Sequence, residues 1–319
     1  MDRPTTRTRL TAEDPHTMRT TLHRCAGTAL AAAALAVAAS VVLPSPAGAA
    51  PPDPAPASSP PWATTTSAAP ADATDVDGDG GGGYDVSHPQ CHVPLPAGAP
   101  FAVVGVNGGL ASTPNPCLAE QLAWAAGSSG QAQQPGVQLY LNTADPGQLR
   151  RQVSTWPRVG STPYGDCDGD NSTSCSWQYG WERARASVTG FFLPAATAAG
   201  VSGDPARYTW WLDVETANTW QTGSSAATAR NRAALEGTTA YLTSRGARVG
   251  LYSTGREWDE IAGSVGWDSN LHRLPSWLAG SDDAEEALAA CAADPLVAGG
   301  AVVLSQYVTD GIDRNVSCR

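Results

Sequence analysis

Asp213 and Glu215 close the segment Tyr208-Thr209-Trp210-Trp211-Leu212-Asp213-Val214-Glu215, where an apolar run meets two carboxylates that are costly to bury. Side chains two apart on a strand share a face, so the two acids point the same way. At the C-terminal end of a barrel strand, that direction is the active-site mouth. Glycosidic cleavage commonly takes one carboxylic acid to protonate the leaving oxygen and one carboxylate to stabilise or attack the developing cation. The pair supplies both groups. The plainer alternative is that the acids cap the following helix and face water.

The elements that must position this pair begin at Tyr84. From there short apolar runs alternate with helical patterns, as in parallel strands joined by crossover helices. Strands are expected over 84–87, 101–106, 137–142, 208–215, 248–253, 275–279 and 301–307. Helices are expected over 116–126, 147–154, 181–199, 226–245, 256–262 and 283–292. With one further strand not recognised, these make a single-domain α/β fold, an irregular (β/α) TIM-like barrel. An open doubly wound sheet fits the alternation too, but no Gly-rich strand-to-helix phosphate loop accompanies it. Asn107-Gly108-Gly109 ends a strand with no helix directly after it and reads as a turn. The stretch 162–176 reads as a surface loop stapled by Cys167 and Cys175. Its Asp166, Asp168 and Asp170 offer calcium ligands, but Gly169 falls at the fourth place of the run, unlike an EF-hand. A solvated acidic loop is the alternative.

The 319 residues divide into an N-terminal extension and secretory signal (1–49), a disordered Pro/Ala/Ser/Gly-rich linker (50–83) and the barrel (84–319). Arg19 and Arg24 precede an apolar run to Leu43, and Ala47-Gly48-Ala49 offers small residues for cleavage. A membrane anchor is the alternative, but the run is short for a bilayer and ends at Pro44 and Pro46. The linker lacks the large apolar residues that would offset its ordering entropy. Within it, Asp75-Val76-Asp77-Gly78-Asp79-Gly80 imitates a calcium loop, with Val86 where a bidentate Glu is needed.

Cys25 leaves with the signal, so Cys91, Cys117, Cys167, Cys175, Cys291 and Cys318 remain, an even set suited to an oxidising compartment. Their connectivity is open from sequence, and pairing of chain neighbours is the expectation. No Cys-x-x-Cys occurs and the His residues do not cluster with the thiols, so no metal or other cofactor is expected. A formal net charge of −11 and a pI near 4.8 speak against nucleic acid. A neutral polysaccharide suits such a surface better. The mature protein is expected to be secreted, free of the membrane and monomeric.

Tyr84-Asp85-Val86-Ser87-His88 resembles the Asp-Val-Ser opening of the family 25 glycoside hydrolases, the N-acetylmuramidases. Trp211-Leu212-Asp213-Val214-Glu215 resembles their central Asp-x-Glu strand, and Leu251-Tyr252-Ser253 the next. Ser276-Trp277-Leu278-Ala279 is similar to their Trp-bearing strand, and Ser305-Gln306-Tyr307 with Ile312-Asp313-Arg314-Asn315 to their closing signature. The order holds across nearly the whole mature domain. The resemblance implies peptidoglycan as substrate and Glu215 as general acid. It implies that Asp213 stabilises the cationic transition state or orients the substrate's acetamido group, with Asp85 and Asp313 completing an acidic rim. Like charges so placed would raise the pKa of Glu215. Trp277, Tyr252 and Tyr307 are expected to stack on sugar faces, unless they belong to the core. Gln306 and Asn107 are expected to bind substrate. Residues 137–142 lack the family's Tyr-His-Phe, and 104–109 replace its charged strand and Thr-Glu-Gly turn. The Cys167–Cys175 insertion is also foreign to simple muramidases, so the chain looks similar to a divergent secreted branch. These departures leave a rival: a catalytically inactive barrel that binds wall glycan or a wall protein. A structural surface protein on a flexible stalk is a third possibility.

Overall fold

Trp210 and Leu212 face one way along their strand and Trp211 and Asp213 the other, and this alternation runs round the whole sheet. The computed structural model describes residues 82–309 and 311–318. The signal, nearly all of the linker and the Asp75–Gly80 run lie outside them. Among the described residues the strands are β1 (Gly83–Val86), β2 (Ala102–Gly105), β3 (Val137–Asn142), β4 (Gly160–Thr162), β5 (Gly165–Cys167), β6 (Thr209–Asp213), β7 (Arg248–Ser253), β8 (Ser276–Ser281), β9 (Val302–Thr309) and β10 (Ile312–Ser317). All except the β4–β5 hairpin close into a barrel in the order β1-β2-β3-β6-β7-β8-β9-β10. Neighbours are parallel apart from β10, which runs antiparallel to both β9 and β1. It is the strand not recognised in the sequence, and it makes the barrel mixed.

The barrel wall separates two apolar layers. Outward-facing Val104, Leu139, Leu141, Trp210, Leu212 and Leu251 pack beneath the helices. Phe101, Val103, Trp211, Tyr252, Trp277 and Leu304 fill the interior. Each fully buried Leu or Phe contributes about 1.5–3 kcal/mol relative to exposure. The interior rings fit because glycines stand opposite them. A Cβ at Gly250 would lie 2.2 Å from the Trp211 ring, one at Gly83 2.2 Å from Phe101, and one at Gly105 2.5 Å from Tyr140.

The helices are α1 (Leu118–Ala125), α2 (Thr173–Ala186), α3 (Leu193–Ala199), α4 (Ser225–Ser244), α5 (Gly255–Ile261) and α6 (Ala284–Ala290), with a π-helical stretch Ser187–Phe192 joining α2 to α3. Side chains of Ser172, Ser224, Thr254 and Asp283 accept backbone N–H groups at the starts of α2, α4, α5 and α6, each worth about 1 kcal/mol. Helices α2 and α4 touch backbone to backbone. A Cβ at Gly180 would meet Ala234 O at 1.8 Å, and one at Gly237 would meet Trp177 O at 2.0 Å.

Two expectations need correction. The stretch 162–176 is not one loop, because β5 occupies its middle and α2 begins at Thr173. Cys175 sits in the first turn of α2, so its disulfide staples helix to strand. The helix expected over 147–154 is a single 3-10 turn, Gly147–Leu149. Asp145 Oδ1 accepts from Gly147 N there, forming a turn in place of a helix. The disulfides are Cys91–Cys117, Cys167–Cys175 and Cys291–Cys318, each joining chain neighbours. Among the described residues no helix is long and apolar enough to cross a membrane, and no group of three or more His, Cys, Asp or Glu is placed to hold a metal.

Candidate active site

β6 delivers Asp213 to the interior face, and Glu215 follows two residues later at the strand's C-terminal end. The backbone there is held on both sides. Thr143 N donates to Asp213 O at 3.2 Å, Val214 N to Tyr252 O at 2.9 Å, and Ser253 Oγ to Val214 O at 2.6 Å. Trp220 Nε1 and Asn218 N both donate to Glu215 O, at 2.9 and 3.0 Å. A cavity of about 110 Å³ opens at this end, lined by Asp85, Tyr140, Asp213, Glu215, Tyr252, Trp277, Gln306 and Asp313. The structure thus brings together all four candidate acids with Tyr252, Trp277 and Gln306.

Asp85 is buried on β1. It accepts from Gln306 Nε2 at 3.0 and 3.2 Å and from Asn315 Nδ2 at 2.7 Å. Tyr252 donates its hydroxyl to Gln306 Oε1 at 2.7 Å, extending the chain. Burial, then the charges of Asp313 and Glu215, push Asp85 up from 3.8 to about 7, against the two amide donors. Burial also raises Asp313.

Asp213 and Glu215 behave as a coupled pair. Asp213 is 3% exposed, and Asn142 Nδ2 donates to its Oδ2 at 2.6 Å. No donor reaches its Oδ1. Burial, the charge of Glu215 and a hydrogen bond to that carboxyl hold Asp213 well above the carboxylate range. Glu215 is also raised, first by burial, then by the charge of Glu257 and more weakly by Asp313; hydrogen bonds with Asp213 and Tyr252 oppose the rise. Two carboxyl groups facing each other without a cation between them favour holding one proton in common. Glu215, the more solvent-accessible of the two, can present that proton to a ligand. The like-charge effect anticipated from Asp85 and Asp313 is therefore secondary to burial and to Glu257.

Two of the expected substrate contacts are elsewhere. Asn107 is fully buried behind the end of β2 and does not line the cavity. Its Nδ2 donates to Ala111 O and Ser187 Oγ at 3.4 and 3.3 Å, and its Oδ1 accepts from Asn142 N at 3.2 Å. It therefore supports the residue that holds Asp213. Tyr307 neighbours Gln306 on β9, so the pleat turns it away from the cavity. Trp277 belongs to both core and cavity. Its ring centroid lies 4.4 Å from that of Tyr252 and 5.7 Å from that of Trp211. At 1% exposure it underlies the site without a free face for stacking, and its Nε1 has no hydrogen-bond partner.

Tyr140 and Asn142 were missed by sequence reasoning. Both stand on the interior face of β3, where Gln138, Tyr140 and Asn142 alternate with Leu139 and Leu141. Polar residues at every second place of an otherwise apolar strand were the available signal. Burial holds the Tyr140 hydroxyl well above 10, so it remains a neutral phenol.

No family model matches the sequence, and no curated protein matches it significantly. Among solved structures the chain is similar to a bacterial lysozyme from Streptomyces coelicolor, at 18% identity over 76% of this chain and 93% of that one, with a TM-score of 0.42. It is similar to a family GH25 lysozyme from Aspergillus fumigatus, at 15% identity over 74% and 93%, with a TM-score of 0.46. It is similar also to a muramidase from Trichobolus zukalii, at 15% identity over 74% and 92%, with a TM-score of 0.39.

Proposed function

We propose that this protein is an exported glycoside hydrolase that cuts cell-wall peptidoglycan or a related polysaccharide. Glu215 is the general acid, and Asp213 stabilises the developing cation. The observation that carries this reading is the convergence of Asp213 and Glu215 with Asp85 and Asp313 in one cavity open to solvent. Glu215 passes its proton to the leaving oxygen as the glycosidic C–O bond breaks, the two carboxylates face the cationic centre, and a water that adds to that centre gives a proton back to the pair. Asp85 and Asp313 add to that negative field. The N-terminal signal pattern and the disulfides support export to an oxidising compartment, where a wall polymer is within reach. A net charge of −11 suits a neutral glycan better than a polyanion.

A second reading is favoured by one observation. At about 110 Å³ the cavity is smaller than the roughly 300–1,000 Å³ of common ligand sites, which suits a barrel that holds one group of a wall glycan or wall protein without cutting it. Incubation of purified mature protein with bacterial walls separates the two. Release of reducing ends, abolished in a folded Glu215→Gln variant, is the expected result. No release together with measurable glycan binding would replace hydrolysis by recognition.

A further inference from the structure

Glu215 is gripped from both sides by one short stretch of chain running from the last residue of β7 into the first turn of α5. Ser253 Oγ donates to Val214 O at 2.6 Å, fixing the residue before Glu215. Glu257, in the first turn of α5, fixes the residue after it. Its Oε1 accepts from Thr216 N at 2.9 Å and from Thr216 Oγ1 at 2.7 Å. Its Oε2 accepts from Thr254 Oγ1 at 3.0 Å, and Thr254 Oγ1 in turn accepts from Glu257 N at 3.1 Å. Although partial burial works the other way, these donors from Thr216 and Thr254 hold Glu257 below its usual range, so it remains an anion. We propose that Glu257 is a positioning residue for Glu215, anchoring the backbone that follows it and holding a permanent negative charge beside its carboxyl. The assignment rests on the hydrolase reading.

The other groups facing Glu215 are Asp213 from β6, Tyr252 from β7, Asp313 from β10 and Asp85 from β1. All four line the same cavity as Glu215. Glu257 differs in lying outside the cavity, on the helix side, where it can charge the site without occupying ligand space. Its negative charge favours the protonated form of its neighbour, which is the form a general acid needs.

Glu257→Gln separates the two effects, because the amide oxygen still accepts from Thr216 while the charge is gone. The titration of the Glu215 carboxyl carbon, followed by NMR in protein labelled at glutamate and assigned by its absence in Glu215→Gln, should shift to lower pH in Glu257→Gln. It should return towards the wild-type midpoint in Glu257→Asp, and the alkaline limb of the activity profile should move in the same direction. An unmoved midpoint in folded Glu257→Gln overturns the assignment. The titration needs no turnover, so a wild-type protein that cuts no wall refutes the hydrolase reading and leaves this measurement intact.

Discussion

Asn142 Nδ2 donates to Asp213 Oδ2 at 2.6 Å, and the Asn142 backbone N–H is itself held by Asn107 Oδ1. Replacing Asn142 by Leu keeps the volume and takes this donor from a buried carboxyl oxygen, at a cost of about 1–3 kcal/mol. The cost is largest where Asp213 is ionised, so denaturant unfolding should show a greater loss for Asn142→Leu at high pH than at low pH. An equal loss at both would mean that the amide serves packing alone. At this scale Asp213 and Glu215 were legible from the strand pleat, which puts both on one face, and Asp85 and Asp313 only from the family resemblance. The amides were not, since Asn is as common in turns as in sites. Asn107, expected to bind substrate, is a buried brace.

Strands announced themselves wherever both faces are apolar. β10 did not, because Asp313 and Asn315 on its inner face belong to the site and its outer face carries Arg314. The residues that make it functional erased the pattern that would have made it visible. The start of α2 was hidden in the same way by Thr173, Ser174 and Ser176. Strand packing yields a contrast between two glycines. A Cβ at Gly250 would lie 2.2 Å from the Trp211 ring, whereas one at Gly190, in the π-helical stretch, would meet nothing within 4 Å. Gly250→Ala should therefore destabilise by about 1–3 kcal/mol through overpacking. Gly190→Ala should be neutral or stabilise by about 0.5–1 kcal/mol, as helical glycines do on gaining a methyl group. Thermal unfolding of the two variants side by side checks both, and a Gly250→Ala protein as stable as wild type would show that the ring has room to move.

For the whole molecule, the gathered acids make folding pH-dependent in an unusual direction. A carboxyl raised on folding binds its proton more tightly in the native state, so its contribution is complete below the unfolded value and is lost as pH rises through the folded one. For Asp85 that window runs from 3.8 to about 7, and Asp213, Glu215 and Asp313 are raised as well. Glu257 works in the opposite sense, but it is only half-buried and its effect is screened by solvent. Stability should therefore fall between pH 4 and pH 8. Asp85→Asn removes this titrating group, so its stability should fall less than that of wild type between pH 4 and pH 8. A melting temperature that rises across this range in wild type, or falls equally in Asp85→Asn, would contradict the burial of these acids.

The sequence alone determined that this is an α/β chain whose alternating runs must form a layered sheet, that Asp213 and Glu215 share one face, and that the six cysteines from Cys91 onward can all be paired. These are local consequences of strand pleat, helix period and parity. Tertiary structure decided what depends on distant parts of the chain meeting. Closure with an antiparallel β10 brought Asp313 and Asn315 beside Asp85. β3 set Asn142 against Asp213, and the first turn of α5 placed Glu257 next to Glu215. The proton balance of the site follows from those meetings, because burial and neighbouring charge act through space and leave no mark on residue spacing.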